Sequence, residues 1–136
     1  MIEIVTDKNI LHQISLPTTY NEVESLGLVK KLREANKTAW TKGCGLAAIQ
    51  IGIPLRFAWY IATNKKEYTL LNPIILQKWG TDIKSEGCLS IPNLYKDVAR
   101  AWTIKYSTNG KIKIVSGFEA RLIQHEIDHM DGKLID

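Results

Sequence analysis

The stretch Gln124-His125-Glu126-Ile127-Asp128-His129 sets two imidazoles four residues apart, with a carboxylate directly after the first. On an α-helix this spacing brings both rings to one face, about one turn apart. A metal ion held between them would leave Glu126 about 100° round the helix, beside the ion rather than on it. A glutamate so placed can take a proton from water at the ion. The plain alternative is a pair of surface histidines set there by chance. Phe118 and Leu122 share the histidines' stripe and turn it inward, where imidazoles without partners are costly.

A catalytic metal also needs a third protein ligand and an open position. The chain continues His129-Met130-Asp131-Gly132-Lys133-Leu134-Ile135, so Ile135 stands where a His-x-x-Gly-x-x-His protease would carry its third histidine. The short remainder offers no later glutamate, so the ligand comes from upstream. The candidates are Cys88, Cys44, His12 and scattered carboxylates. Cys88 follows Glu86-Gly87 in a turn-rich segment, 85–92, and a thiolate binds zinc or ferrous iron well. Cys44, between two glycines, reads as a small apolar residue of a packed wall. Were both cysteines ligands, the site would be closed Cys2His2 and structural. His12 reads as a surface residue in a polar arm.

These residues need elements to position them. Residues 1–18 read as an irregular arm. Thr19-Tyr20-Asn21-Glu22 fits a capping box and predicts one long helix over 20–41, with Leu28, Leu32, Ala35 and Ala39 as its buried stripe and Gly43 beyond its end. The small-residue run 43–52 lets backbone come close to another element. Strands are predicted over 55–62, 67–72 and 73–79, and a hairpin over 98–107 and 111–115 across Asn109-Gly110. In that hairpin Trp102, Ile104 and Tyr106 face one way, and Arg100 shares their parity. An inward arginine requires a carboxylate partner. Ser116-Gly117-Phe118-Glu119 fits a second capping box and starts a helix over 117–130, whose inner face is Phe118, Leu122, His125 and His129. The expected architecture is one α+β domain spanning 1–136: short antiparallel strands around a central metal-binding helix, plus a long N-terminal helix.

Composition narrows the function classes. The net charge of +4 comes from lysines without a long basic block, which reads as a solvated surface rather than a specific nucleic-acid footprint. No apolar run approaches a membrane span, and the N-terminus lacks a secretory pattern. The expected location is the cytoplasm, and both cysteines should be reduced.

Three ordered segments, Gly43-Cys44-Gly45-Leu46-Ala47-Ala48-Ile49-Gln50, Glu86-Gly87-Cys88-Leu89-Ser90 and Gln124-His125-Glu126-Ile127-Asp128-His129, resemble the motifs of the peptide deformylases. The likeness extends to Leu16-Pro17, Val98-Ala99-Arg100, Gly117-Phe118-Glu119-Ala120-Arg121 and the closing Asp131-Gly132-Lys133-Leu134-Ile135-Asp136, and so covers essentially the whole chain. Family members usually carry an aliphatic residue at the position of Cys44 and commonly a proline at that of Ile49. The segment after the third motif is short, like organellar-type or virus-encoded members, so only weak ribosome association is expected, without a dedicated C-terminal helix.

The resemblance implies removal of the formyl group from formyl-methionyl nascent peptides, with release of formate. It implies Cys88, His125 and His129 as ligands to one divalent metal, ferrous iron first, with zinc, nickel or cobalt as alternatives. It implies Glu126 as general base, and Gln50 with the Leu89 backbone N–H as donors to the developing oxyanion. The substrate would pair its backbone along Gly45 and set its methionine near Cys44, Gly87 and Leu122. Arg100 is expected to pair with Glu86 and steady the Cys88 turn. Asp128 is expected either to orient an imidazole or to face solvent. Two other readings stand beside this one: a metallopeptidase or other deacylase on the same helix, and a non-catalytic module closed by Cys44, Cys88, His125 and His129.

Overall fold

The structure, a computed structural model, describes residues 2–41 and 43–136. Lys42, one of the scattered lysines, and Met1 lie outside them. The fold is α+β, built on a three-stranded antiparallel sheet of β1 (Gly45–Ala47), β2 (Phe57–Ile61) and β3 (Glu67–Leu71), with β2 central. Side chains alternate across a strand, and both faces of β2 are covered. Phe57 and Trp59 pack with Leu28, Leu32 and Ala35. Ala58 and Tyr60 pack with Ala120, Ile123, Ile127 and Met130 of the last helix, α4 (Gly117–Met130). That double cover is why β2 is almost continuously apolar.

Two further sheets flank this core. β4 (Ile74–Trp79), β7 (Thr103–Thr108) and β8 (Lys111–Ser116) pair antiparallel in the order β4-β7-β8. Asn109 and Gly110 join β7 to β8 with φ of 50° and 74°, the left-handed pair a tight two-residue hairpin requires. β5 (Asp82–Cys88) and β6 (Ile91–Arg100) form a two-stranded ribbon. Among the described residues, no helix is long and apolar enough to cross a membrane.

Several expectations need correction. The long N-terminal helix is two: α2 (Tyr20–Leu26) and α3 (Leu28–Thr38) meet at Gly27, whose φ of 61° is left-handed and breaks the hydrogen-bond ladder. Leu28, Leu32 and Ala35 are buried as expected, but the helix stops at Thr38, because Ala39 is extended (ψ 159°). Gly43 is therefore no helix cap; its N–H donates to Asn36 Oδ1 at 3.0 Å. Thr19 accepts from Glu22 N at 3.1 Å, while the Glu22 carboxylate takes the Thr18 hydroxyl at 2.6 Å. The N-terminal arm carries a short helix, α1 (Lys8–Leu11), capped by Asp7.

The turn-rich segment 85–92 is mostly strand, with Leu89-Ser90 as a two-residue turn between β5 and β6. The predicted strand 98–107 is broken between Arg100 and Thr103. Gln124 of α4 grips Ala101 there, accepting from its N–H and donating to its C=O, both at 3.0 Å. Trp102 is consequently exposed, while Ile104 and Tyr106 are buried. The second capping box does not form. Ser116 Oγ meets Thr103 Oγ1 at 2.8 Å, and Glu119 accepts the buried Tyr60 hydroxyl at 2.8 Å. Helix α4 nonetheless has the predicted limits. Its Phe118 is exposed rather than inward.

Candidate metal centre and reaction cavity

Helix α4 delivers His125, Glu126 and His129, and the end of β5 delivers Cys88. The β5–β6 register shifts between Gly87 and Cys88, so the ladder is irregular where Cys88 meets the helix. His129 Nε2 lies 3.4 Å from Cys88 Sγ and 3.2 Å from His125 Nε2. The ligand atoms of the three residues all fall within 4.8 Å of one another. Among the described residues this is the one such group.

His125 is fixed from behind. Its Nδ1 is 2.8 Å from Glu86 Oε1, and an ionised carboxylate only accepts, so Nδ1 carries a hydrogen and Nε2 is the nitrogen that faces the cluster. Glu86 is the hub of a buried charge network. Arg100 grips it through Nε and Nη2, both at 2.8 Å, and reaches Asp128 at 2.6 Å. The expected Arg100–Glu86 pair is present, and Asp128 partners Arg100 rather than an imidazole. Arg121 also donates to Glu86, and to the Val98 and Asp82 carbonyls at 2.9 and 2.7 Å. Burial alone would raise the Glu86 carboxyl, but hydrogen bonds from Arg100 and His125 hold it well below the usual range.

The cluster attracts positive charge. Burial opposes a charged ring at His125, yet hydrogen bonds with Cys88 and Glu86 and the Glu126 carboxylate outweigh it and push the pKa up to about 10. At His129, burial and the positive charges of His125 and Arg100 hold the ring well below its ordinary value. The two touching rings thus favour one charge between them. One thiol and two imidazoles are donors suited to zinc or ferrous iron, so the residues fit a divalent metal.

Glu126 is buried, its Oε1 has no hydrogen-bond partner, and burial pushes it up to about 7 against the pull of His125 and Arg100. Its carboxylate leans on Gly45: a Cβ there would come within 2.9 Å of Glu126 Oε2 and 3.1 Å of Trp59 O. Gln50 is locked in place, with Oε1 accepting from Ala47 N at 3.0 Å and Nε2 donating to Ser90 Oγ at 3.1 Å. That Nε2 lies 3.7 Å from Cys88 Sγ. A cavity of about 370 Å³ opens over these groups and is also lined by Cys44, Gly45, Gly87, Leu89 and Leu122.

Cys44 lines this cavity but is exposed and outside the ligand cluster, so neither the packed-wall reading nor the closed Cys2His2 site holds. His12 sits elsewhere, bonded to Gly132 O at 2.8 Å. Sequence reasoning assigned no role to Arg121, Ser90 or Trp40. Arg121 was findable, since 121, 125 and 129 form one i, i+4 stripe; Ser90 and Trp40 carry no such spacing signal.

The polypeptide deformylase family model matches residues 1–136. The chain belongs to that family. Peptide deformylase 1 of Bacillus cereus is 43% identical over 114 residues, covering 79% of this chain and 73% of the relative. The solved structure of the Thermotoga maritima peptide deformylase superposes with a TM-score of 0.86 at 29% identity, covering 99% and 95% of the two chains. A probable peptide deformylase from Synechococcus phage S-SSM7 superposes with a TM-score of 0.82 at 33% identity, covering 98% and 95%. This deformylase is a metal-dependent hydrolase that removes the N-formyl group from the formyl-methionine of nascent polypeptides and releases formate.

Proposed function

We propose that Cys88, His125 and His129 hold one divalent ion, that Glu126 is the general base, and that Gln50 and the Leu89 N–H donate to the formyl oxygen. The observation that carries this reading is the convergence of Cys88 Sγ with two imidazole Nε2 atoms on the same helix turn as Glu126, whose buried Oε1 has no hydrogen-bond partner. Ferrous iron is the ion proposed first, with zinc, nickel and cobalt as functional substitutes. Bound there, the ion supplies Lewis acidity and makes water more acidic.

Glu126 takes a proton from water as the water oxygen bonds to the formyl carbon. Burial, which raises this carboxyl, favours its holding the proton once taken. Gln50 and Leu89 steady the negative charge that grows on the formyl oxygen. Glu126 then gives the proton to the departing nitrogen, the C–N bond breaks, and formate and a free amine result.

The substrate lies extended along β1. This strand is the edge of its sheet, so a peptide backbone can pair with it at Gly45 on the side away from β2, while the Ala47 N–H is already taken by Gln50. Cys44, Gly87 and Leu122 receive the methionine side chain, and Glu86 with Arg100 steadies His125 and the Cys88 turn. Residues 1–136 act as one catalytic domain. A nascent-chain substrate implies work in the cytoplasm with weak ribosome contact.

Formate release from formyl-Met-Ala-Ser tests the reading. The ferrous enzyme is expected to be active, and Glu126→Ala to lose about 100-fold or more. A wild-type enzyme that bound iron and released no formate would overturn it.

A further inference from the structure

We propose that Trp40 is a positioning residue for the reaction, holding the turn that presents the Leu89 N–H. The proposal rests on the donor role given above to Leu89. Trp40 lies past the end of α3 and outside all three motifs, yet its indole Nε1 donates to the Leu89 carbonyl at 3.0 Å. Leu89 and Ser90 are the two residues that turn β5 into β6. One side of that turn is pinned by Gln50, which donates to Ser90 Oγ at 3.1 Å. Trp40 pins the other side.

The same wall is braced by contact. A Cβ at Gly43 would lie 2.8 Å from Leu89 Cδ1, so this backbone packs directly on the Leu89 side chain, and Asn36 holds the Gly43 N–H. The peptide units on either side of Leu89 share its α-carbon. Fixing its carbonyl holds one of those planes and the shared α-carbon, so rotation about the Leu89 N–Cα bond is the one freedom left to the plane that carries its N–H. A donor aimed at a developing charge is effective only when its orientation is set beforehand. Trp40 also lines the reaction cavity, with its ring half-exposed. It therefore has two separable parts: an N–H that orients the turn and a ring that forms cavity wall.

Two substitutions separate them. Trp40→Phe keeps a ring and removes the donor, while Trp40→Ala removes both. With the ferrous enzyme and formyl-Met-Ala-Ser, Trp40→Phe is expected to lower kcat about two- to tenfold, the worth of one neutral hydrogen bond, with KM changed less than about twofold. Bound iron and thermal midpoint should stay at wild-type values. Trp40→Ala should lose at least as much kcat and also raise KM. Wild-type kcat in Trp40→Phe, or a loss confined to KM or to bound iron, would overturn the proposal. Wild-type enzyme that released no formate would overturn the roles given to Glu126 and Leu89, and this proposal with them.

Discussion

His125 gives its Nδ1 hydrogen to Glu86 Oε1 at 2.8 Å, and Glu86 is itself gripped by Arg100 through two 2.8 Å contacts. The aim of an imidazole on α4 thus depends on two side chains of the β5–β6 ribbon. Breaking this chain of contacts at its far end is informative. Arg100→Ala is expected to weaken metal retention about 10- to 100-fold, measured as bound metal after dialysis against graded chelator. Unchanged metal content together with an unchanged rate would sink the idea.

Cys44 and Cys88 should part company on substitution. Cys88→Ser is expected to lose the metal and with it activity. Cys44→Ser should keep the metal, since Cys44 is exposed and outside the ligand cluster, and show only a modest rise in KM from its place at the cavity wall. Metal loss from Cys44→Ser would restore the closed-site reading.

Gly45→Ala tests the contact between β1 and the base. The added Cβ would meet Glu126 Oε2 at 2.9 Å, and the flexible carboxylate gives way more easily than the Trp59 carbonyl at 3.1 Å. The expected result is a folded, metal-loaded protein whose kcat falls at least about tenfold, because a base moved by a fraction of an ångström no longer meets its proton. Wild-type kcat in this variant would show that the carboxylate has room to spare.

Alkaline stability should report Tyr60. Burial, with the Glu119 carboxylate accepting its hydroxyl, raises this phenol above its ordinary value of 10.0. The folded state therefore holds a proton that the unfolded chain releases near about pH 10. The contribution is complete below that pH and is lost progressively as pH rises from there towards the raised value of the folded state. The urea midpoint should fall above about pH 10, and fall less steeply in Tyr60→Phe. Some slope should remain, because Tyr106 is also raised by burial. An identical slope in both proteins would refute the assignment.

Much of this molecule was legible in one dimension. Helix α4, the strands β2, β3 and β4, and the Asn109-Gly110 hairpin follow from period, caps and turn chemistry, all of which are local. The pairing of His125 with His129 follows from the helix repeat alone. So does the position of Glu126 beside them.

Other features depended on contacts between distant segments. Gly27 looks tolerable inside a helix, but it takes a left-handed φ of 61°, and the α3 helix that starts there packs on Phe57 and Trp59. Ser116 and Glu119 spell a capping box, but Thr103 and Tyr60 claim their side chains. The strand expected across Ala101 is interrupted because Gln124, far along the chain, takes both of that residue's backbone groups. Spacing could present two ligands and a base on one helix turn. It could not say which cysteine meets them, because that depends on how the ribbon carrying Cys88, 37 residues before His125, packs on the helix, a matter of burial and charge pairing across the fold.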